Sequence, residues 1–303
     1  MRMTLKEHFR TNFNIRLLEG VKGNDVESLL QGNPIKEFNS ESNILKWDQI
    51  VIKADPFLFA HNDKLYLFYE EKKRRSKGYI MMTYTTDLRN WSVPVLVLRE
   101  PFHLSFPFVF EYEGEVYMMP ESSEAEEIRI YKFEDDTLSK CSLIHIPVKG
   151  HFVDSSIISK DGVLYLFSSD NEYNQRVFIA KELLGVYHEH QGSPLYSGSD
   201  YGRNAGSVFE YGGVLYRPSQ DCSRLYGGNV TLHQVTELNE NKLCEKIYKK
   251  NILNTEDPFY IYGGHQFNIV EYQGRLIIAT DALDLNFNVF QVANKIMKKI
   301  LKR

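Results

Sequence analysis

One pattern is written five times along this 303-residue chain. An apolar stretch, a short polar turn and a second apolar stretch recur in order. They are "ADPFLFAHNDKLYLFYEE" from Ala54, "SFPFVFEYEGEVYMMPES" from Ser105, "VDSSIISKDGVLYLFSSD" from Val153, "NAGSVFEYGGVLYRPSQD" from Asn204 and "HQFNIVEYQGRLIIATD" from His265. The residue pairs between the stretches, Asn62-Asp63, Glu113-Gly114, Asp161-Gly162, Gly212-Gly213 and Gln273-Gly274, suit tight hairpin turns. Aligned on Tyr66, Tyr117, Tyr165, Tyr216 and Ile277, the hairpins repeat about every 50 residues, the spacing of propeller blades. Each interval leaves room for two more strands, such as "KGYIMMTYTTDLRNW" after the first hairpin and "IRIYKFED" after the second. Antiparallel sheets must hide their edges, and radial repetition does so. The expectation is an all-β, five-bladed β-propeller. A two-sheet sandwich is the alternative, but it gives no reason for regular self-similarity.

In such a ring the innermost strands border a common axis, so equivalent positions converge however far apart they lie in sequence. Eleven residues before the aligned positions stand Asp55, Phe106, Asp154, Ala205 and Gln266, and one residue earlier stand Ala54, Ser105, Val153, Asn204 and His265. Four residues after them stand Glu70, Glu121, Ser169, Gln220 and Asp281. Polar residues thus recur where a hydrophobic core gains nothing from them. A shared polar funnel explains that placement.

Composition narrows the function. The formal charge of −4 offers no general basic footprint, so nucleic acid is excluded as a partner. The 19 Tyr and 19 Phe suit strands, and they can also stack on sugar rings. Cys141, Cys222 and Cys244 are odd in number and far apart, which fits a reducing cytoplasm. The first residues, "MRMTLKEHFR", lack the apolar core of a secretory signal, and no stretch approaches the ~20 apolar residues of a membrane-spanning helix. No P-loop, dinucleotide fingerprint or GxSxG elbow is found.

The string "ADPFLF…LYLFYEE…GYI…TTDLRNW" resembles the first blade of the furanosidase-type propellers, family 43 glycoside hydrolases and their relatives. "HLSFPFVFEYEGEVYMMPES", "GRNAGSVFEYGGVLYRPSQD", "LYGGNVTLHQVTEL" and "GGHQFNIVE" are similar, more closely, to the propeller domain of plant glucosamine inositolphosphorylceramide transferases. They also resemble stand-alone bacterial proteins of surface-polysaccharide biosynthesis. The first resemblance implies a general base at Asp55 and places Asp154 where that family has a glutamate acid. It also implies a central metal ion near the fifth-blade histidine, His265. The family's blade-two aspartate is absent, with Ser105 and Phe106 standing there. The second resemblance implies a propeller working beside a separate transferase domain.

Making or breaking a glycosidic bond usually needs one carboxylic acid and one carboxylate on opposite faces of the sugar. Asp55, Glu121 and Asp154 are the catalytic candidates, although Asp-Pro at a strand start also caps turns. Glu70, His103, Arg203, Asn204, Gln220, Tyr226, His265, Asn268 and Asp281 are the substrate-binding candidates. Arg offers a forked donor to anions, and amides match paired hydroxyls. Arg217 is left open between binding and a structural ion pair. The run "KKRRSK" after Glu71 reads as a solvated loop, or as a basic rim attracting a nucleotide-sugar. No dense ligand cluster is spaced for a metal, so none is assigned and no cofactor is predicted; a central ion near His265 stays open.

The expected organisation is an N-terminal extension (1–46) with a short helix, a propeller (47–285) and a basic amphipathic C-terminal helix (286–303). In that last segment Phe290, Ala293, Ile296, Met297, Ile300 and Leu301 share a face, so it either packs on the domain or lies on an anionic membrane surface. The sequence therefore points to a cytoplasmic protein, peripheral to the membrane's inner face in the second case. It would act on a glycan or nucleotide-sugar by glycosyl transfer or cleavage in surface-polysaccharide biosynthesis. The alternative is a non-catalytic glycan-binding scaffold for a partner glycosyltransferase.

Overall fold

The computed structural model describes residues 9–23, 26, 28–41 and 48–287, and its regular structure is almost entirely strand. Blade one is formed by Ile50–His61, Lys64–Lys73, Tyr79–Thr85 and Val95–Leu98. Blade two follows with Ser105–Tyr112, Glu115–Glu121, Glu127–Phe133 and Cys141–Lys149. Blade three has Phe152–Lys160, Val163–Asp170 and Asn174–Ala180, edged by the two short strands His188–Glu189 and Tyr196–Ser197. In blade four the innermost strand is split into Arg203–Asn204 and Phe209–Tyr211, both against Val214–Asp221, with Asn229–Leu238 and Leu243–Lys249 outside them. Gly206 lies at the split with φ +149°, and a Cβ there would meet the Phe267 carbonyl oxygen at 2.0 Å. Only glycine allows blade four to approach blade five so closely.

Blade five is assembled from both ends of the chain. Phe267–Tyr272 and Arg275–Phe287 pair antiparallel, and Phe9–Gly20 pairs with Arg275–Phe287 in continuous register from Phe9↔Phe287 to Gly20↔Leu276. Asn33–Phe38 adds the outer edge. The segment 1–46, expected as an extension, thus contributes two strands to the sheet, and among its described residues the helical piece is one 3-10 turn, Ser28–Gln31. The ring is closed by this ladder because a propeller left open would expose the edge of its last sheet. The basic stretch expected as a C-terminal helix lies outside the described residues beyond Phe287.

All five hairpin tips read from the sequence put two consecutive residues in the left-handed region, from Asn62-Asp63 to Gln273-Gly274. Such turns match the twist of the flanking strands. Strand alternation then sends successive side chains to opposite neighbours. In blade one, Tyr66 and Phe68 pack with Val109 and Met118 of blade two, whereas Leu65, Leu67 and Tyr69 pack with Ile15, Leu17 and Ile277 of blade five. Equivalent apolar wedges join blades two and three, three and four, and four and five. The core is therefore a ring of wedges, and most of the abundant aromatics are spent there.

Candidate active site at the propeller axis

The polar residues at the starts of the inner strands reach the axis through a shared backbone device. The registers slip between Ala54 and Phe57, Ser105 and Phe108, and Val153 and Ser156. Within each slip one residue takes the left-handed conformation: Asp55 (φ 51°), Phe106 (φ 44°) and Asp154 (φ 53°). A left-handed residue with a Cβ is unfavourable by about 1–2 kcal/mol, and such strain gathers at functional sites. These β-bulges bend the strand and re-aim a side chain.

His265 is the hub. Its Nδ1 forms an ion pair with Asp281 Oδ2 at 2.6 Å, and its Nε2 lies 3.6 Å from Asp55 Oδ1. Phe13, from the N-terminal strand, stacks on the ring at 4.6 Å, and Tyr226 meets it edge-on at 5.3 Å. Burial favours a neutral imidazole, but the Asp281 and Asp55 carboxylates outweigh it and raise His265 to about 9. Asp281, fully buried, also accepts the backbone N–H groups of Asp55, His265 and Gln266, tying blade five to blade one. Asp55 in turn accepts the Phe106 N–H of blade two at 3.1 Å. Burial pushes Asp55 up to about 6; His265 opposes the rise, and Asp281 and Asp154 add to it.

Glu121 is 8% exposed and accepts from Ser105 Oγ and the Ser123 N–H, both at 2.8 Å. Burial, followed by repulsion from Asp154, raises its carboxyl to about 7. Glu70 is pushed well above the usual carboxylate range by burial and by Asp55. Asp154 is held differently. Arg203 Nε pairs with it, Gln220 Nε2 donates to it at 3.0 Å, and Asn204 donates to its backbone carbonyl at 2.7 Å. The Arg203 guanidinium lies 5.0 Å from the Tyr226 ring centre, and the half-exposed Tyr226 is the most open member of the group.

The structure therefore brings together Asp55, Glu70, Glu121, Asp154, Arg203, Gln220, Tyr226, His265 and Asp281. Asn204 buttresses Asp154 from behind, and Asn268 accepts the Leu58 N–H at 2.8 Å, stitching blades five and one. His103 stands on the rim, Nε2 3.5 Å from Glu70 Oε1. Arg217, left open from sequence, is a structural ion pair with Glu245.

Two participants were not singled out by sequence. Phe13 lay in the supposed extension. Gln266 is fully buried with neither amide atom partnered among the described residues, and a buried polar group in that state marks a place for water or ligand. The signal was present, since Gln266 occupies the same offset as Asp55 and Asp154.

Asp55, His265 and Asp281 also place three donor atoms within 4.8 Å of one another. An oxygen-and-imidazole set of this kind fits a divalent cation, which would replace the ring proton.

The comparisons decide the lineage. Residues 17–274 match the family described as "Glucosamine inositolphosphorylceramide transferase 1, N-terminal". The chain belongs to this family. It is 33% identical over 231 residues to glucosamine inositolphosphorylceramide transferase 1 of Oryza sativa subsp. japonica, covering 73% of this chain and 31% of that protein. The Arabidopsis thaliana protein of the same name is 36% identical over 203 residues, 63% of this chain and 26% of its own length. The chain thus spans about a third or less of these curated relatives. Among solved structures, an α-L-arabinofuranosidase from Clostridium thermocellum superposes with a TM-score of 0.55 at 16% identity, over 74% of this chain and 80% of that one. A family 117 glycoside hydrolase from Zobellia galactanivorans gives 0.54 at 12% identity, over 90% of both chains. These neighbours establish the propeller fold.

Proposed function

We propose that the axial chamber binds a saccharide and assists glycosyl transfer or cleavage, with Glu121 as proton donor and Asp55 as the opposing carboxylate. One observation carries the reading: two buried carboxyls from adjacent blades, each within electrostatic reach of Asp154, have different surroundings. Glu121, raised to about 7, holds its proton near neutrality. Asp55, raised by burial to about 6, lies 3.6 Å from the His265 ring, whose charge favours its ionised form, whereas the direct partners of Glu121 are the neutral Ser105 hydroxyl and Ser123 N–H. Environments that push two carboxyls apart assign acid and base. Glu121 would protonate the departing glycosidic oxygen, while Asp55 would stabilise the developing positive charge or take the acceptor's proton. Arg203, Gln220 and Tyr226 would orient hydroxyls at the mouth. A cation held by Asp55, His265 and Asp281, if the site is loaded, would supply positive charge to a developing oxyanion. The family's named members support a setting in glycolipid glycosylation; surface-glycan assembly, with a glycan or nucleotide-sugar as substrate, is the setting we propose for this chain.

A second reading, a glycan-binding partner of a separate transferase, is favoured by the relatives' length and by the near-complete burial of the axial acids. Asp55→Asn and Glu121→Gln separate the two. Turnover of aryl glycosides or sugar nucleotides should fall about 10²–10⁴-fold while saccharide binding changes little. Saccharide binding without wild-type turnover of any donor would leave the binding role.

A further inference from the structure

We infer that Glu70 and His103, at the rim between blades one and two, together clasp a single hydroxyl group of a neutral saccharide unit next to the axial one. The inference rests on the axial saccharide reading and extends it outward. Glu70 Oε1 is buried and has no hydrogen-bond partner among the described residues, in a residue only 5% exposed. A buried acceptor left in this state is unfavourable by about 1–3 kcal/mol unless water or a ligand satisfies it. His103 Nε2 lies 3.5 Å away, beyond an ordinary hydrogen bond, and a hydroxyl that touches both enters as this ring, whose side chain is a quarter exposed, shifts outward.

The histidine is oriented for this task. Its Nδ1 accepts the Gly78 N–H at 3.0 Å, so the neutral ring carries its proton on Nε2, facing Glu70. Its backbone N–H is fixed by Glu124 at 3.0 Å. Burial and the Lys72 charge keep the ring neutral, down to about 4. A hydroxyl at this point donates to Glu70 Oε1 and accepts from His103 Nε2–H, which is the two-way pairing a sugar offers. His103 is a quarter exposed, so the position opens to solvent while Glu70 faces the axis.

Gly78 makes the arrangement sterically feasible. A Cβ there would lie 2.6 Å from Glu70 Oε1, 2.6 Å from His103 Cε1 and 2.5 Å from the Leu104 carbonyl oxygen. No side chain can occupy that place without driving the two groups out of position. Of the basic run after Glu71, Lys73 pairs with Asp48 and Arg74 with Gln49, Lys77 pairs with the Glu124 that fixes the His103 backbone, and the Lys72 charge acts on both Glu70 and His103.

The test is a titration of the intact chain with N-acetylglucosamine, myo-inositol and methyl β-D-xylopyranoside at millimolar concentration. It follows the His103 imidazole proton–nitrogen signal beside the amide signals of Arg203 and Tyr226. Movement of the His103 signal by at least one probe is expected, with affinity weakened about threefold to tenfold in both His103→Phe and Gly78→Ala, the value of one lost hydrogen bond. Axial signals that move while His103 does not would overturn the inference and leave the axial reading standing. A His103 response without an axial one would remove the axial reading and, with it, the placement of this unit next to an axial one. Silence at both would overturn both.

Discussion

Two buried polar clusters lie a few residues apart in this ring, and they are built on opposite principles. Inside blade four, Arg217 is fully buried and all of its N–H groups are placed. It donates to Glu245 Oε2 at 2.8 Å and Oε1 at 2.6 Å, to the Tyr201 carbonyl at 3.2 Å, to Gln175 at 3.0 Å and to Asn204 at 3.4 Å. His233 adds a contact to Glu245 at 2.9 Å and meets Ser219 at 3.0 Å through its other nitrogen. Burial would raise Glu245, yet Arg217 overrides it and holds the carboxyl at about 2. Among the described residues at the axis, Asp55, Glu70, Glu121, Asp154 and Asp281 share three cations, His265, Arg203 and, from the rim, Lys72. Glu121, about as buried as Glu245, rises to about 7. Burial alone does not set the state of a carboxyl; the completeness of its pairing does. The first cluster is finished and holds strands together. The second is left short of positive charge and of partners, as a binding site would be.

The sharpest way to break this contrast is Glu245→Gln, which strands a buried guanidinium. Unfolding in denaturant should show a loss of about 3–5 kcal/mol; a loss under about 1 kcal/mol would mean that the pair is not the anchor described. Glu121→Gln should act in the opposite direction. The folded state favours its protonated form, so its contribution is present below the ordinary value of 4.5 and is lost as pH rises through about 7. The amide should therefore be more stable than wild type by about 1–3 kcal/mol at pH 8 and nearly equal to it at pH 4. Glu245 has the reverse window, its contribution present above 4.5 and lost as pH falls through about 2. Smallest is the effect at His265, whose ion pairs are fully present below 6.5 and fade as pH rises through about 9. His265→Asn should destabilise by about 1–2 kcal/mol at pH 6 and by little at pH 10. Equal losses at both pH values would show that the ring serves packing against Phe13 rather than charge.

Much of the fold was legible because its determinants are local. Asn62-Asp63 and Gly212-Gly213 specify their turns by what a few residues can do at positive φ, and alternation along Leu65–Tyr69 specifies two faces without reference to the rest of the chain. The offsets that singled out Asp55, Glu121 and Asp154 followed from the same period. Partners were not legible. Nothing near Phe13 announces that it will stack on His265, nor does anything near Arg203 say that Asp154 will hold it. His103 and Glu70 were each suspected, but their 3.5 Å approach depends on Gly78 lying between them.

By itself the sequence determined a repeating hairpin, its turn geometry and the positions where polar side chains would crowd together, since those depend on steric preferences and a two-residue period within one short segment. Only the closed ring decided which of those groups are satisfied and which are left wanting. That outcome depends on contacts between blades separated by most of the chain, and on a last sheet that exists only when Phe9–Gly20 returns to pair with Arg275–Phe287.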